Sequence, residues 1–167
     1  MGTSHYKGNS DYLLEEEDGS FVIKPIALDI VWGRSPNYWR LPESENDTAE
    51  LLGVNWFEVS GSIELNKLKH RKYKIGFIVS LQANGSGWSN NPIYMMTKVG
   101  RNDFKWKGVD LSGRDPNTQF DIPEDHTFEL TVAEVESNEN LNFGLYEVWR
   151  GSWKTGLVIH KVVISPL

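Results

Sequence analysis

Tyr73, Ile75, Phe77, Val79 and Leu81 alternate without a break with Lys74, Gly76, Ile78 and Ser80. Successive side chains of an extended strand point to opposite faces, so this run carries one wholly apolar face and must lie against a core. No other constraint on the chain is as strong, and its neighbours agree with it. Phe21 or Ile26 to Trp32, Val54 to Leu65, Tyr94 to Val99, Phe104 to Leu111, Thr127 to Val135, Leu141 to Trp149 and Gly156 to Ser165 all read as strands. Gly, Pro, Asn and Ser turns part them, and no window of ten or more residues keeps a helical period. The pattern predicts an all-β chain: a jelly-roll-like β-sandwich of two antiparallel sheets, with short or no helices.

Within the strands, two assignments are specific. Phe57, Val59, Gly61 and Ile63 share one face, whereas Val54 and Trp56 have the opposite parity, which predicts a bulge or burial on both faces. In the last strand Val158, Val162 and Ile164 fall on one face and Leu157, Ile159 and Val163 on the other. Residues 1–20 are polar, with Glu15, Glu16, Glu17 and Asp18 in a row, and read as a loosely held tail to a domain spanning 21–167.

The 167 residues suit one domain with one core. There is no cysteine, which excludes disulfides, thiol catalysis and cysteine-ligated metal sites. A net charge of −6 opposes nucleic-acid binding, although Lys67, Lys69, His70, Arg71, Lys72 and Lys74 cluster, as a solvated turn and strand edge also would. No apolar run reaches the about 20 residues of a membrane helix, and the N-terminus has no basic-then-apolar pattern, so a cytoplasmic protein away from membranes is expected. Nucleotide-loop, metalloprotease and hydrolase-elbow motifs are missing and the four histidines are dispersed; the expectation is a protein without enzymatic activity, cofactor or metal.

Seven tryptophans exceed what one core absorbs and call for a binding surface. Trp32 and Trp39 flank the short polar loop of Gly33, Arg34, Ser35, Pro36 and Asn37, so one turn can hold both rings near one point. Trp32 reads equally well as core or as binding surface; Trp39 and Trp88 are expected to be available, and Trp56 and Trp149 to be core. Arg34 and Asn37 offer the planar donors that sugar hydroxyls want. Ser86 and Trp88, in a loop rich in Asn, Gly and Ser, and the turn holding Arg101 and Asn102 have the same chemistry, which plain solvated turns share. Gly151 and Ser152 form a turn that presents Trp153, with Lys154 next to it.

The ordered set Ala27-Leu28-Asp29-Ile30-Val31-Trp32, Tyr38-Trp39, Ala49 to Val59, Gly61-Ser62-Ile63 and Trp153-Lys154-Thr155-Gly156-Leu157-Val158-Ile159 resembles the plant phloem protein 2 family of Nictaba-like lectins, and within it the short cucurbit phloem lectins. The likeness runs from about Ile26 to the C-terminus. It implies a β-sandwich lectin for N-acetylglucosamine oligomers, meaning chitooligosaccharides and the N-glycan cores of glycoproteins. It also implies a non-covalent homodimer in phloem sap or nucleocytoplasm. The family's binding aromatics correspond to Trp32 and Trp39, and an acidic residue near the C-terminal strands corresponds best to Glu147. Asn55 stands where a cysteine is common in the family, so disulfide-linked subunits are lost. Two other readings stay open: a structural or interaction protein of phloem sap, and an RNA carrier acting through Lys67 to Lys74.

Overall fold

In the computed structural model, residues 4–89, 92–102, 104–125, 128–132, 139–149 and 151–167 are described. Among the described residues thirteen strands follow one another: β1 Leu13–Glu15, β2 Phe21–Ile23, β3 Asp29–Ile30, β4 Trp39–Arg40, β5 Ala49–Leu51, β6 Phe57–Glu64, β7 Lys72–Ser86, β8 Ile93–Val99, β9 Lys105–Val109, β10 Phe120–Ile122, β11 Glu129–Thr131, β12 Asn140–Glu147 and β13 Thr155–Pro166. Helical structure among the described residues is limited to three single 3₁₀ turns, at Ser10–Tyr12, Pro25–Ala27 and Leu65–Lys67.

The strands form two antiparallel sheets, as the alternation predicts. One has the order β3-β6-β12-β8-β9. The other runs β1-β2-β13-β5-β4, with β7 alongside β13 and β10 and β11 against the far side of β7. Tyr73, Ile75, Phe77 and Val79 of β7 face Phe57, Val59, Ile63, Leu141, Phe143 and Leu145 of the opposite sheet, and all are buried. Phe77 and Phe143 meet edge to face, with centroids 6.1 Å apart.

β13 departs from its expected faces. Its pairing with β7 slips between Ile159 and Lys161. The extra residue reverses the parity, so Leu157 and Ile159 before the slip and Val162 and Ile164 after it all enter the core. The parity change before β6 has a different cause: Val54 leaves the sheet and forms a separate bridge with Lys154.

The N-terminal segment is not a loose tail over its described part. β1 pairs with β2, and Tyr6 bridges to Ile30 at the free edge of β3. Tyr6 Oη donates to the Ile26 carbonyl at 2.7 Å, and the Gly8 amide donates to Asp29 Oδ1 at 2.8 Å. An edge strand of two residues exposes unpaired backbone groups, and this segment covers them.

Candidate functional site

Alternation puts Trp32 on the same side as Leu28 and Ile30, in the core, if the strand continues. It does not continue. β3 ends at Ile30, the Gly33 amide turns back onto the Ile30 carbonyl at 3.0 Å, and Trp32 takes a left-handed backbone with φ of 63°. A non-glycine residue there carries roughly 1–3 kcal/mol of strain, which the surroundings must offset. Part of the offset is a hydrogen bond from the Trp32 amide to His5 Nδ1 at 3.0 Å. The flip carries the indole outward, where it stays 39% exposed.

Across the loop, Tyr38 closes a turn whose Tyr38 and Trp39 amides both reach the Ser35 carbonyl, at 3.0 and 3.1 Å, and β4 begins at Trp39; the two consecutive rings leave this turn in different directions. Tyr38 turns toward Trp32, with centroids 6.1 Å apart and planes at 76°. Trp39 turns inward and is only 2% exposed, packed at 5.7 Å on Phe57. The expected wall of Trp39 is therefore corrected: a side chain closed off by the core cannot take a ring from solution. Trp88 is corrected likewise. It is 4% exposed, lies edge-on to Phe57 at 5.6 Å and donates Nε1–H to the Thr155 carbonyl at 3.1 Å. Trp56 and Trp149, expected in the core, are exposed. Trp56 lies in the bend just before β6, whose first residue, Phe57, turns inward.

Trp153 supplies the ring that Trp39 does not. It is 56% exposed and lies 6.1 Å from Tyr38 with planes at 37°. Trp32, Tyr38, Trp153, Val54 and Asn55 line a cleft of about 180 Å³. The sequence places Tyr38 in the segment between the two tryptophans, whereas nothing in it marks Asn55 as a contact.

Under the cleft sits a buried charge. Lys154 is wholly buried, and its Nζ donates to the carbonyls of Asn55 at 2.9 Å and Ser152 at 3.0 Å. It lies 3.6 Å from Oε1 of Glu147, itself 1% exposed. Burial pulls the Lys154 ammonium below its ordinary pKa, and the carboxylate of Glu147 opposes that pull. The backbones of Lys154 and Val54 exchange hydrogen bonds of 2.8 and 3.0 Å. Lys154 thus fixes the loop carrying Asn55 against the one carrying Trp153, while Glu147, buried behind it, is not among the residues lining this cleft.

Of the other expected residues, Arg34 and Asn37 lie exposed on the loop between the rings. Ser86 binds Thr155 Oγ1 and lines, with Trp88, a separate cavity of about 370 Å³. Arg101 and Asn102 are not brought to the cleft. They turn from β8 toward β9 beyond Val99, which pairs with Leu141 at the opposite end of β12 from Glu147. Arg101 is instead paired with Glu139, Nε to Oε1 at 2.9 Å. The seven residues of β12 from Leu141 to Glu147 make six steps of roughly 3.4 Å, about 20 Å in all.

Comparison with known proteins identifies the chain's kin. The protein PHLOEM PROTEIN 2-LIKE A9 of Arabidopsis thaliana is 35% identical, over 99% of this chain and 97% of its own length. A protein of Luffa acutangula named "Lectin" is 29% identical, over 90% of this chain and 72% of its own. Among solved structures, TmCBM61 in complex with β-1,4-galactotriose matches 89% of each chain at 15% identity, with a TM-score of 0.43. The family profile described as Phloem protein 2 matches residues 18–166, nearly the whole chain. The chain therefore belongs to the phloem protein 2 family.

Proposed function

We propose that the chain is a lectin, and that the cleft of Trp32, Tyr38 and Trp153 binds oligomers of N-acetylglucosamine. The observation that carries this reading is the left-handed Trp32. The fold accepts strain to hold a large apolar ring in water beside two others, and stored strain of this kind collects at binding sites. The chemistry fits a sugar. Indole and phenol faces take the C–H faces of pyranose rings, and the apolar side chain of Val54 offers contact for an acetamido methyl group. Asn55 offers a planar amide for hydroxyl or amide partners, and Arg34 and Asn37 extend the polar rim. The family membership and the relative named "Lectin" support the same reading. In it the chain binds without hydrolysing, needs no cofactor, and works on glycoproteins or chitooligosaccharides in phloem sap or nucleocytoplasm.

Calorimetry with sugars of one to four rings tests it. Affinity should rise from one ring to three, as each added ring buries more surface. Trp153→Ala and Trp32→Ala should each weaken chitotriose at least tenfold in a folded protein. Trp39→Ala should instead cost roughly 3–5 kcal/mol of stability, as large aromatic truncations in a core do. Unchanged affinity in both folded cleft variants would refute the assignment.

A further inference from the structure

A second aromatic cleft lies on the outer face of the sheet β3-β6-β12-β8-β9, away from the loop of Trp32. Tyr94 of β8, Trp106 of β9 and Trp149 beyond β12 line about 410 Å³ together with Glu147. Tyr94 meets Trp149 at 5.0 Å and 80°, and Trp106 meets Trp149 at 5.9 Å and 71°. Tyr146 adds a fourth ring, 5.7 Å from Trp106. Trp106 and Trp149 are exposed.

This surface is built, not merely uncovered. Tyr146 lies over Gly144, where an added Cβ would stand 2.7 Å from its hydroxyl oxygen. Tyr94 lies over Gly108, where a Cβ would stand 3.0 Å from the ring. Each tyrosine is thus seated by a glycine, one in its own strand and one directly across in the register. Met96, which faces out of the core between Gly144 and Trp106, is nevertheless buried. The hydroxyl of Tyr146 is bonded with Ser60. Tyr94 and Tyr146 are thus seated before any ligand arrives, so these two rings have little ordering entropy left to lose on binding.

The charges around the cleft select the ligand class. Glu147 is met by Lys154 and Lys107 by Asp125 at 2.6 Å, while Lys98 sits 4.8 Å above the ring of Phe104. Lys98 and Glu58, which lie on the same sheet face, carry opposite charges, so the cleft and its surroundings hold no large net charge to attract an ionic partner. From the rings the same sheet face continues in register through Asn142, Ser60, Ser62 and Glu58, a row of hydroxyl, amide and carboxylate groups. Aromatic walls beside such a row suit a neutral glycan, which offers C–H faces to the rings and hydroxyls to the row, better than a second copy of the chain, because the centre of a protein interface is depleted of charged groups such as Glu58.

We propose that Tyr94, Trp106 and Trp149 form a second, independent site for a neutral glycan, so that one chain engages two glycans. This rests on the sugar-binding reading given for the Trp32 cleft. Two sites on one chain would let a single protomer bridge glycans and gain avidity on a glycan-rich surface.

The test is to follow the indole N–H resonances, assigned through single Trp→Phe variants, while adding chitotetraose or cellotetraose to the wild type, Trp32→Ala and Trp106→Ala. Trp106 and Trp149 should shift in the wild type and in Trp32→Ala with at least one tetraose. In Trp106→Ala the shift of Trp149 should be lost while Trp32 and Trp153 still respond, and the tetraose bound per chain should fall from two to one. Trp149→Ala provides the reciprocal check. Movement confined to Trp32 and Trp153 would overturn the second site alone. Absence of any movement would overturn both. Movement of Trp106 and Trp149 on dilution without sugar would mark the face as a contact between copies and overturn the proposal.

Discussion

At the scale of single residues, one buried and one half-buried ionisable group make opposite demands. Lys154 is a cation held by Asn55, Ser152 and Glu147 beneath the candidate cleft. Removing one partner of a buried pair strands the other, at roughly 3–5 kcal/mol, whereas replacing both with apolar groups is often close to neutral. Lys154→Met should therefore lower stability by about that amount and weaken sugar binding together, because Asn55 loses its tether. The double variant Lys154→Met with Glu147→Leu should recover most of the stability in urea titrations but not the affinity. His160 behaves differently. Its Nε2 lies 2.8 Å from Ser80 Oγ, and burial, aided by the nearby charge of Lys161, pulls its pKa below 6.5. The unfolded chain then binds the more protons as pH falls through about 6.5, so His160 contributes stability above that pH and loses it below. Urea midpoints measured from pH 7 to pH 5 should decline less steeply in His160→Gln.

At the scale of elements, the N-terminal segment is the largest revision. His5 holds the amide of Trp32 at 3.0 Å, and Tyr6 pairs with Ile30. Deleting residues 1–12 should leave β3 an open edge and Trp32 without its hydrogen bond. We expect a loss of about 2 kcal/mol or more, near 4–8 °C in Tm at roughly 2–4 °C per kcal/mol, and weaker chitotriose binding. A truncated protein with both properties intact would return the segment to the status of a tail. The strands were legible because β7, β8 and β12 keep strict alternation, which burial on one face enforces. The misplaced rings come from local breaks in that rule. Trp32 escapes through a left-handed residue, and β13 changes face at a register slip, neither of which hydropathy records. Trp39 turns inward because β4 begins there and pairs with the buried Leu51 of β5, a long-range pairing that the turn through Tyr38 hides from hydropathy. Glu147 and Lys154 were found as residues, but their meeting across the end of the sandwich depends on pairing distant in sequence.

At the scale of the whole molecule, exposed aromatic surface is concentrated on one sheet face and the loops beside its end, while the other sheet closes the core. The sandwich also has strand edges at which copies could pair, and without cysteine any pairing is non-covalent. The expected homodimer should give a light-scattering mass near twice the 19.1 kDa chain at micromolar concentration; a mass near the single chain would count against it. The division of the seven tryptophans has an optical consequence. Trp39 and Trp88 are enclosed, whereas Trp32, Trp56, Trp106, Trp149 and Trp153 face water. Native emission is thus already close in colour to that of a denatured chain, dominated by hydrated indoles open to collisional quenchers. Heating or urea will shift the spectrum little. A ligand that dries the exposed rings will move it to the blue, so the ordinary optical sign of folding becomes in this protein chiefly a sign of occupancy.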